Sequence, residues 1–297
     1  MTARTGLVVG AHGRHFVVEN DDRQRVLCHR RGKKVDCVVG DRVEWKTTGD
    51  DGVIESVLPR RSLLWRQDRW RSKSFAANID RLIVLVAAVP PMDEGLLARA
   101  LVAAAHADIA AHVLLNKIDL PEADAARQRL EPYRRMGVPV LEVTLKRDPA
   151  AAAAALQALV SHGVTLLLGA SGVGKSTLIN ALMPDAAAQV GDISQALNAG
   201  RHTTTTTSWY WLDERHEAAV LDSPGFQEFG LMQVAPDRLA LLLPDIAAHA
   251  AGCRFTNCTH RSEPDCAVRD ATARGDISPG RLRFYQELYD ELAQPRW

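Results

Sequence analysis

Gly169-Ala170-Ser171-Gly172-Val173-Gly174-Lys175-Ser176-Thr177 is the stretch that decides how this chain is read. It fits G-x-x-x-x-G-K-[ST], the pattern of a phosphate-binding loop. Val164 to Leu168 before it is an apolar, β-competent run, and Leu178 to Leu182 after it reads as the first turns of a helix. Strand, glycine loop and helix is the context the motif needs. Gly169, Gly172 and Gly174 lack a Cβ, so the backbone can turn its N–H groups inward on an anion. The helix N-terminus adds partial positive charge. Residues 169–177 are therefore expected to cradle phosphates, with Lys175 reaching the β- and γ-phosphates and Ser176 holding Mg2+.

Upstream, Leu82 to Val89 is a continuous apolar run, the pattern of a strand buried on both faces, and Ile109 to Leu115 reads as another apolar strand. Helical patterns cover Asp93 to Ala105, Pro121 to Arg135 and Ala150 to Val160, and Val138 to Val143 reads as a further strand. The Ile109–Leu115 run ends on Asn116-Lys117-Ile118-Asp119, the N-x-x-D pattern that selects guanine. One Asp119 carboxylate accepts from both N1–H and the exocyclic amine of guanine. Adenine has an acceptor at N1 and no amine at C2, so it leaves that carboxylate unmatched. Asn116 is expected to pin neighbouring loops and the Lys117 stem to lie over the base. Thr144-Leu145 stands where the guanine O6 contact is expected.

Downstream, Gly200-Arg201-His202-Thr203-Thr204-Thr205-Thr206-Thr207 reads as a switch that closes over Mg2+ and the γ-phosphate, or as a β-prone polar tract. Trp209 to Leu212 and Ala218 to Leu221 read as a hairpin ending in Asp222-Ser223-Pro224-Gly225-Phe226. In that D-x-x-G, Asp222 is expected on the metal and the Gly225 N–H on the γ-phosphate. Many GTPases place a water-orienting glutamine after D-x-x-G. Here Phe226 stands there, so His202 is the candidate water-positioning group beside Thr204.

The chain has 297 residues, a formal net charge of zero, 46% hydrophobic and 24% charged residues, an ordinary globular composition. Residues 1–73 carry sixteen Lys/Arg against ten Asp/Glu, a local excess of six. Six short β-rich runs within the first sixty residues, Val35 to Val38 among them, suggest a small barrel of about five strands. An OB-fold is the first reading, and an SH3-like barrel reads much the same. Residues 60–73 set six cations and one anion among Trp65 and Trp70, suiting RNA or a basic linker with docked tryptophans. Leu7-Val8-Val9 is too short for a signal h-region and Leu82–Val89 too short to span a bilayer, so a cytoplasmic protein without membrane contact is expected. Near the other end, Cys253, Cys258, His260 and Cys266 give C-x4-C-x-H-x5-C, a full tetrahedral set for one structural Zn2+. Ala235 to Ala250 before this cluster and Pro279 to Leu292 after it read as helices, the second capped by Ser278.

Guanine motif, phosphate loop, threonine stretch, D-x-x-G: this order permutes the usual GTPase order circularly. With Gly200-Arg201-His202-Thr203-Thr204-Thr205 and the Cys/His cluster behind it, the chain resembles the ribosome small-subunit-dependent GTPase A family. The resemblance implies an N-terminal OB-fold (residues 1–72), a permuted α/β P-loop GTPase domain (73–230) and a small α-helical zinc domain (231–297). It implies GTP or GDP with Mg2+, late maturation of the small ribosomal subunit, contact with its ribosomal RNA, and hydrolysis stimulated by the subunit. A monomer is expected. The rival reading is a nucleotide-gated RNA-binding scaffold in which hydrolysis is incidental.

Overall fold

The computed structural model describes residues 4–32, 36–49, 51–67, 72–183, 207–223 and 229–294. Three layers of organisation follow one another along the chain. The first is a closed barrel of β1 (Arg4–His12), β2 (His15–Asn20), β3 (Arg25–Arg30), β4 (Arg42–Thr48) and β5 (Asp51–Val57), in the order β1-β2-β3-β5-β4. β3 pairs parallel with β5, and β1 closes antiparallel on β4, the Greek-key path of an OB barrel. Alternation places Phe16, Val18, Val43 and Trp45 in the barrel core while Val9 and Val17 face outward into the main core.

The run Val35–Val38, expected as a strand, is not one over residues 36–38. The Asp41 carboxylate accepts from the Val38 N–H at 2.8 Å and from Arg60 Nε at 2.7 Å, folding the chain into a side-chain-closed turn. Such a turn uses the donors that a strand would present to a neighbour. The basic stretch after it also differs from a linker. β6 (Leu63–Gln67) and β7 (Ser72–Ala77) form an antiparallel hairpin. Arg60 is committed to Asp41, and Arg61 to Asp80 at 2.6 Å, so two of the six cations hold structure. Trp70 lies outside the described residues.

The second layer is a six-stranded sheet in the order β10-β9-β8-β11-β13-β12. It comprises β8 (Arg81–Ala87), β9 (Ala110–Asn116), β10 (Val140–Val143), β11 (Gly163–Leu168), β12 (Ser208–Trp211) and β13 (Ala218–Asp222). All pairings are parallel except β12 with β13. Helices α1 (Glu94–His106), α2 (Ala123–Arg135), α3 (Pro149–Val160) and α4 (Lys175–Leu182) connect and cover it. Strict alternation splits β8: Leu82, Val84 and Val86 enter one core, Ile83 and Leu85 the other. Burial on both faces is why the sequence here is continuously apolar.

The third layer is helical. The helix expected over 235–250 is two pieces, a 3-10 helix Pro236–Leu242 and α5 (Pro244–Ala250). Pro244 has no N–H to donate and holds Leu243 extended (φ −118°, ψ 97°), so the first piece must stop. α6 (Ala267–Arg274), not anticipated, follows the cysteine cluster directly. α7 (Pro279–Ala293) starts as expected, with the Ser278 hydroxyl accepting from the Arg281 N–H at 3.3 Å. Among the described residues no helix is long and apolar enough to cross a membrane.

Candidate nucleotide site and metal centre

The phosphate loop runs from the end of β11 into α4, at the carboxyl edge of the sheet. This is where open parallel sheets bind ligands. Parallel pairing sets the motif-bearing ends side by side: Leu168 of β11 lies beside Val84 of β8, and Ala87 of β8 beside Asn116 of β9. A Cβ on Gly169 would stand 2.5 Å from the Leu85 carbonyl oxygen, so only glycine lets the loop leave the strand so close to β8. Gly174, the residue before α4, has φ +113°, and a Cβ there would meet Asn116 Nδ2 at 2.4 Å. This contact joins the two motifs.

Asn116 is the hub. Its Nδ2 donates to the Val173 carbonyl at 2.8 Å, and its Oδ1 accepts from the Leu145 N–H at 3.0 Å. It is buried at 3% exposure, so both bonds are made away from water. One amide thus ties the guanine motif to the phosphate loop and to the Thr144-Leu145 corner after β10. Lys117 Nζ donates to Gly172 O at 2.8 Å and to Val89 O at 2.6 Å, laying its stem across the loop mouth. Asp119 is exposed beside them, free to meet a base edge. The bond partner Val89 had no functional signal in the sequence, because it contributes only a backbone carbonyl.

Ser176 and Thr177 are exposed at the first turn of α4. Lys175 Nζ donates to the Gly169 carbonyl at 2.9 Å, inside the loop it would serve. Asp222 closes β13 opposite Leu167 of β11. Its Oδ1 is buried with no hydrogen-bond partner. Burial pushes the carboxyl above the usual carboxylate range, and the Lys175 ammonium pulls it back. A buried, orphaned carboxylate oxygen facing a phosphate loop fits a hydrated Mg2+. Ser171, Ala170 and Gly172 complete the exposed arc of the loop. His202, Thr204 and Gly225 lie outside the described residues.

The four zinc candidates converge. Their ligand atoms all lie within 4.8 Å of one another. Cys253 Sγ and Cys266 Sγ each stand 3.5 Å from His260 Nδ1, and the two sulfurs are 4.0 Å apart. A tetrahedral Zn2+ at 2.3 Å from sulfur and 2.0–2.1 Å from nitrogen requires about 3.8 Å and 3.6 Å for these separations. Burial pushes the Cys258 thiol up to about 12, so thiolates here need a cation among them. Glu263 braces the turn between ligands, accepting from the N–H groups of Thr259, Arg261 and Ser262. Gln286 of α7 holds the His260 carbonyl at 2.9 Å. With all four positions supplied by protein atoms, a zinc ion held here would have no open position and would be structural.

The comparisons with known proteins agree with this geometry. The family model described as RsgA GTPase matches residues 57–232. A relative from Variovorax paradoxus (strain S110), named small ribosomal subunit biogenesis GTPase RsgA, is 53% identical over 98% of this chain and 93% of its own. One of the same name from Bordetella pertussis (strain Tohama I) is 48% identical over 98% of this chain and 97% of its own. Among solved structures, YjeQ from Thermotoga maritima superposes with a TM-score of 0.72 at 28% identity, covering 99% of this chain and 100% of that one. YloQ, described as a circularly permuted GTPase, gives 0.69 at 25% identity, covering 100% and 98%. With guanine motif before phosphate loop on one sheet edge, a barrel in front and a cysteine cluster behind, this chain is a GTP-hydrolysing enzyme and belongs to the RsgA GTPase family.

Proposed function

We propose that this enzyme acts in the biogenesis of the small ribosomal subunit, and that docking on the subunit switches its GTPase on. The observation that carries the reading is the Asn116 hub, which binds guanine motif and phosphate loop into one site. It does so in a chain alike along 98% of its length to relatives named for small-subunit biogenesis. The basic excess of residues 1–73 supports ribosomal RNA as the contacted surface. The division into residues 1–72, 73–230 and 231–297, a monomeric state and a cytoplasmic location without membrane contact complete the reading.

Within the site, Gly169 to Thr177 wrap the phosphates, Lys175 leaves the Gly169 carbonyl for the β- and γ-oxygens, and Asp119 reads guanine. Ser176, Asp222 and Thr204 are the side chains that would hold Mg2+, which when bound neutralises charge on the transferred phosphate. The Gly225 N–H senses the γ-phosphate. His202 orients the attacking water, because Phe226 at the usual glutamine position cannot. Multiple-turnover GTP hydrolysis with purified 30S, 50S and 70S particles tests the proposal. Stimulation by 30S alone is expected; equal rates with and without it would leave only a nucleotide-gated scaffold. His202→Ala is expected to abolish the stimulation while leaving GTP affinity intact. Asp119→Asn is expected to weaken GTP by about 3 kcal/mol, on the order of a hundredfold, and to favour xanthosine nucleotides. Equal binding of ATP and GTP by the unaltered protein would refute the guanine assignment.

A further inference from the structure

Between the barrel and the β6–β7 hairpin lies a cleft of about 360 Å3. Arg30 of β3, Arg66 of β6 and Lys73 of β7 line it, and among the described residues no carboxylate does. Asp36, next in sequence to the lining residue Cys37, is engaged by Ser74 Oγ at 2.8 Å and by Arg60. The floor is apolar: Phe16 and Phe75, 3% and 8% exposed. Three cations around an apolar floor fit a phosphodiester with its base lying flat below. The volume falls at the small end of the roughly 300–1,000 Å3 of ligand clefts, room for one nucleotide.

The position of the cleft is more telling than its charge. Thr207, the last residue of the threonine stretch and the one before β12, forms part of its wall. The strand that carries Arg66 is pinned to the chain just after the D-x-x-G segment. Arg66 bridges Phe229, and the Gly230 N–H donates to the Trp65 carbonyl at 3.1 Å. The cleft wall therefore includes Thr207 itself, and its Arg66 strand pairs with the chain that leaves the D-x-x-G segment.

We propose that this cleft seats one phosphodiester-linked nucleotide of single-stranded RNA, that the bound guanine nucleotide gates the seat, and that filling it raises the rate of hydrolysis. This rests on the RNA-binding reading given above and names the surface and the route of control. Coupling of this kind is reciprocal: whatever shapes the cleft through Thr207 and Phe229 is shaped by its occupant.

The test uses the full-length protein, unaltered and as R66E/K73E, with R135E/R147E as a charge-matched control at exposed positions away from the cleft. A fluorescent single-stranded RNA dodecamer is titrated with non-hydrolysable GTP analogue or GDP bound, and turnover is measured with and without purified small subunits. The unaltered protein is expected to bind the RNA more tightly with the analogue. R66E/K73E is expected to lose on the order of tenfold in affinity and to flatten the log-affinity against log-salt slope by about 1.4, the worth of two single-strand phosphate contacts. Its subunit stimulation should fall, while basal turnover, GTP affinity and melting temperature stay unchanged. R66K/K73R should restore binding. If R66E/K73E binds RNA and responds to subunits like the control, the cleft is overturned while the subunit reading stands. If the unaltered protein is not stimulated, the subunit reading itself fails. Equal RNA affinity in both nucleotide states overturns the gate. Displacement of the RNA by equimolar guanosine monophosphate or inorganic phosphate assigns the seat to a free anion and overturns the RNA claim.

Discussion

The barrel and the zinc-binding end are both fastened to the central sheet, but they grip different parts of it. On the barrel side, Glu19 of β2, only 6% exposed, accepts from Arg25 at 3.1 Å, Trp211 Nε1 at 3.0 Å and His216 Nδ1 at 2.9 Å. Trp211 and His216 stack with centroids 4.3 Å apart. Both belong to the β12–β13 hairpin, whose ends are Ser208, next to Thr207, and Asp222. The barrel has an inner core of Val8, Phe16, Val18, Trp45 and Ile54, while its Val9 and Val17 enter the main core that also holds Trp209 of β12. On the zinc side, Leu239, Ile246, Tyr285 and Leu288 share one continuous core with Leu97 of α1 and Leu130 of α2. Arg99 of α1 pairs with Glu291 of α7, and Arg281 pairs with Asp245 at 2.8 Å while covering the Tyr133 ring.

The difference is one of chemistry. An interdigitated apolar core resists sliding, because any shift opens voids in a close-packed interior. On the barrel side that apolar contact is supplemented by hydrogen bonds converging on one buried carboxylate, which can keep its partners through a small tilt. In the described residues, the hairpin that carries the switch ends is held by the barrel, and the zinc end is anchored to α1 and α2. The prediction is that the barrel follows the nucleotide while the zinc end stays fixed.

Four experiments probe that contrast. Cys266→Ser should cost most, since structural zinc contributes about 10–16 kcal/mol of apparent binding energy in zinc-finger peptides, and that energy is folding energy. Elemental analysis should find no stoichiometric zinc, and calorimetry an early transition from the C-terminal helices, with GTP affinity retained. A variant still carrying one zinc per chain would refute the ligand set. Next, Glu19→Ala strands three half-buried donors and should destabilise by about 1–3 kcal/mol. It should also erase any difference in barrel proteolysis between GTP-analogue and GDP states. Persistence of that difference would place the coupling elsewhere.

Arg281→Met removes the partner of Asp245 and should cost about 1–3 kcal/mol in a chemical melt. Subunit-stimulated turnover should not change, because the ion pair sits on the fixed side; a drop in stimulation would break the contrast. The smallest effect belongs to Glu263. Burial alone would raise its carboxyl, but the bonds from Thr259 and from the Thr259 and Arg261 N–H groups outweigh it and bring the group down to about 2. A depressed carboxyl stabilises the fold fully above the unfolded value of about 4.3, and that contribution disappears as pH falls towards 2. Glu263→Gln should therefore lower stability by about 1 kcal/mol at pH 7 and by progressively less in acid. A stability difference that grows as pH falls would contradict the sign.

Much of the nucleotide site was legible from residue order alone. Gly169 to Thr177, Asn116 to Asp119 and Asp222 to Gly225 are local patterns, and a backbone that must leave a strand, turn around an anion and start a helix tolerates few sequences. The zinc ligands were legible for the same reason, falling within fourteen residues of chain. Strand runs such as Leu82 to Val89 announced themselves because burial on two faces leaves no polar alternation. The break at Pro244 was also written in the sequence, though it was read through as one helix. What only the tertiary structure decided are meetings between distant residues. Glu19 finds Trp211 and His216 across 192 and 197 positions, and Arg99 finds Glu291 across 192. Arg66 and Thr207 come to one cleft by the same folding. No local propensity records such pairs: a lone charge on a strand looks solvated until the fold removes its water and leaves it one partner.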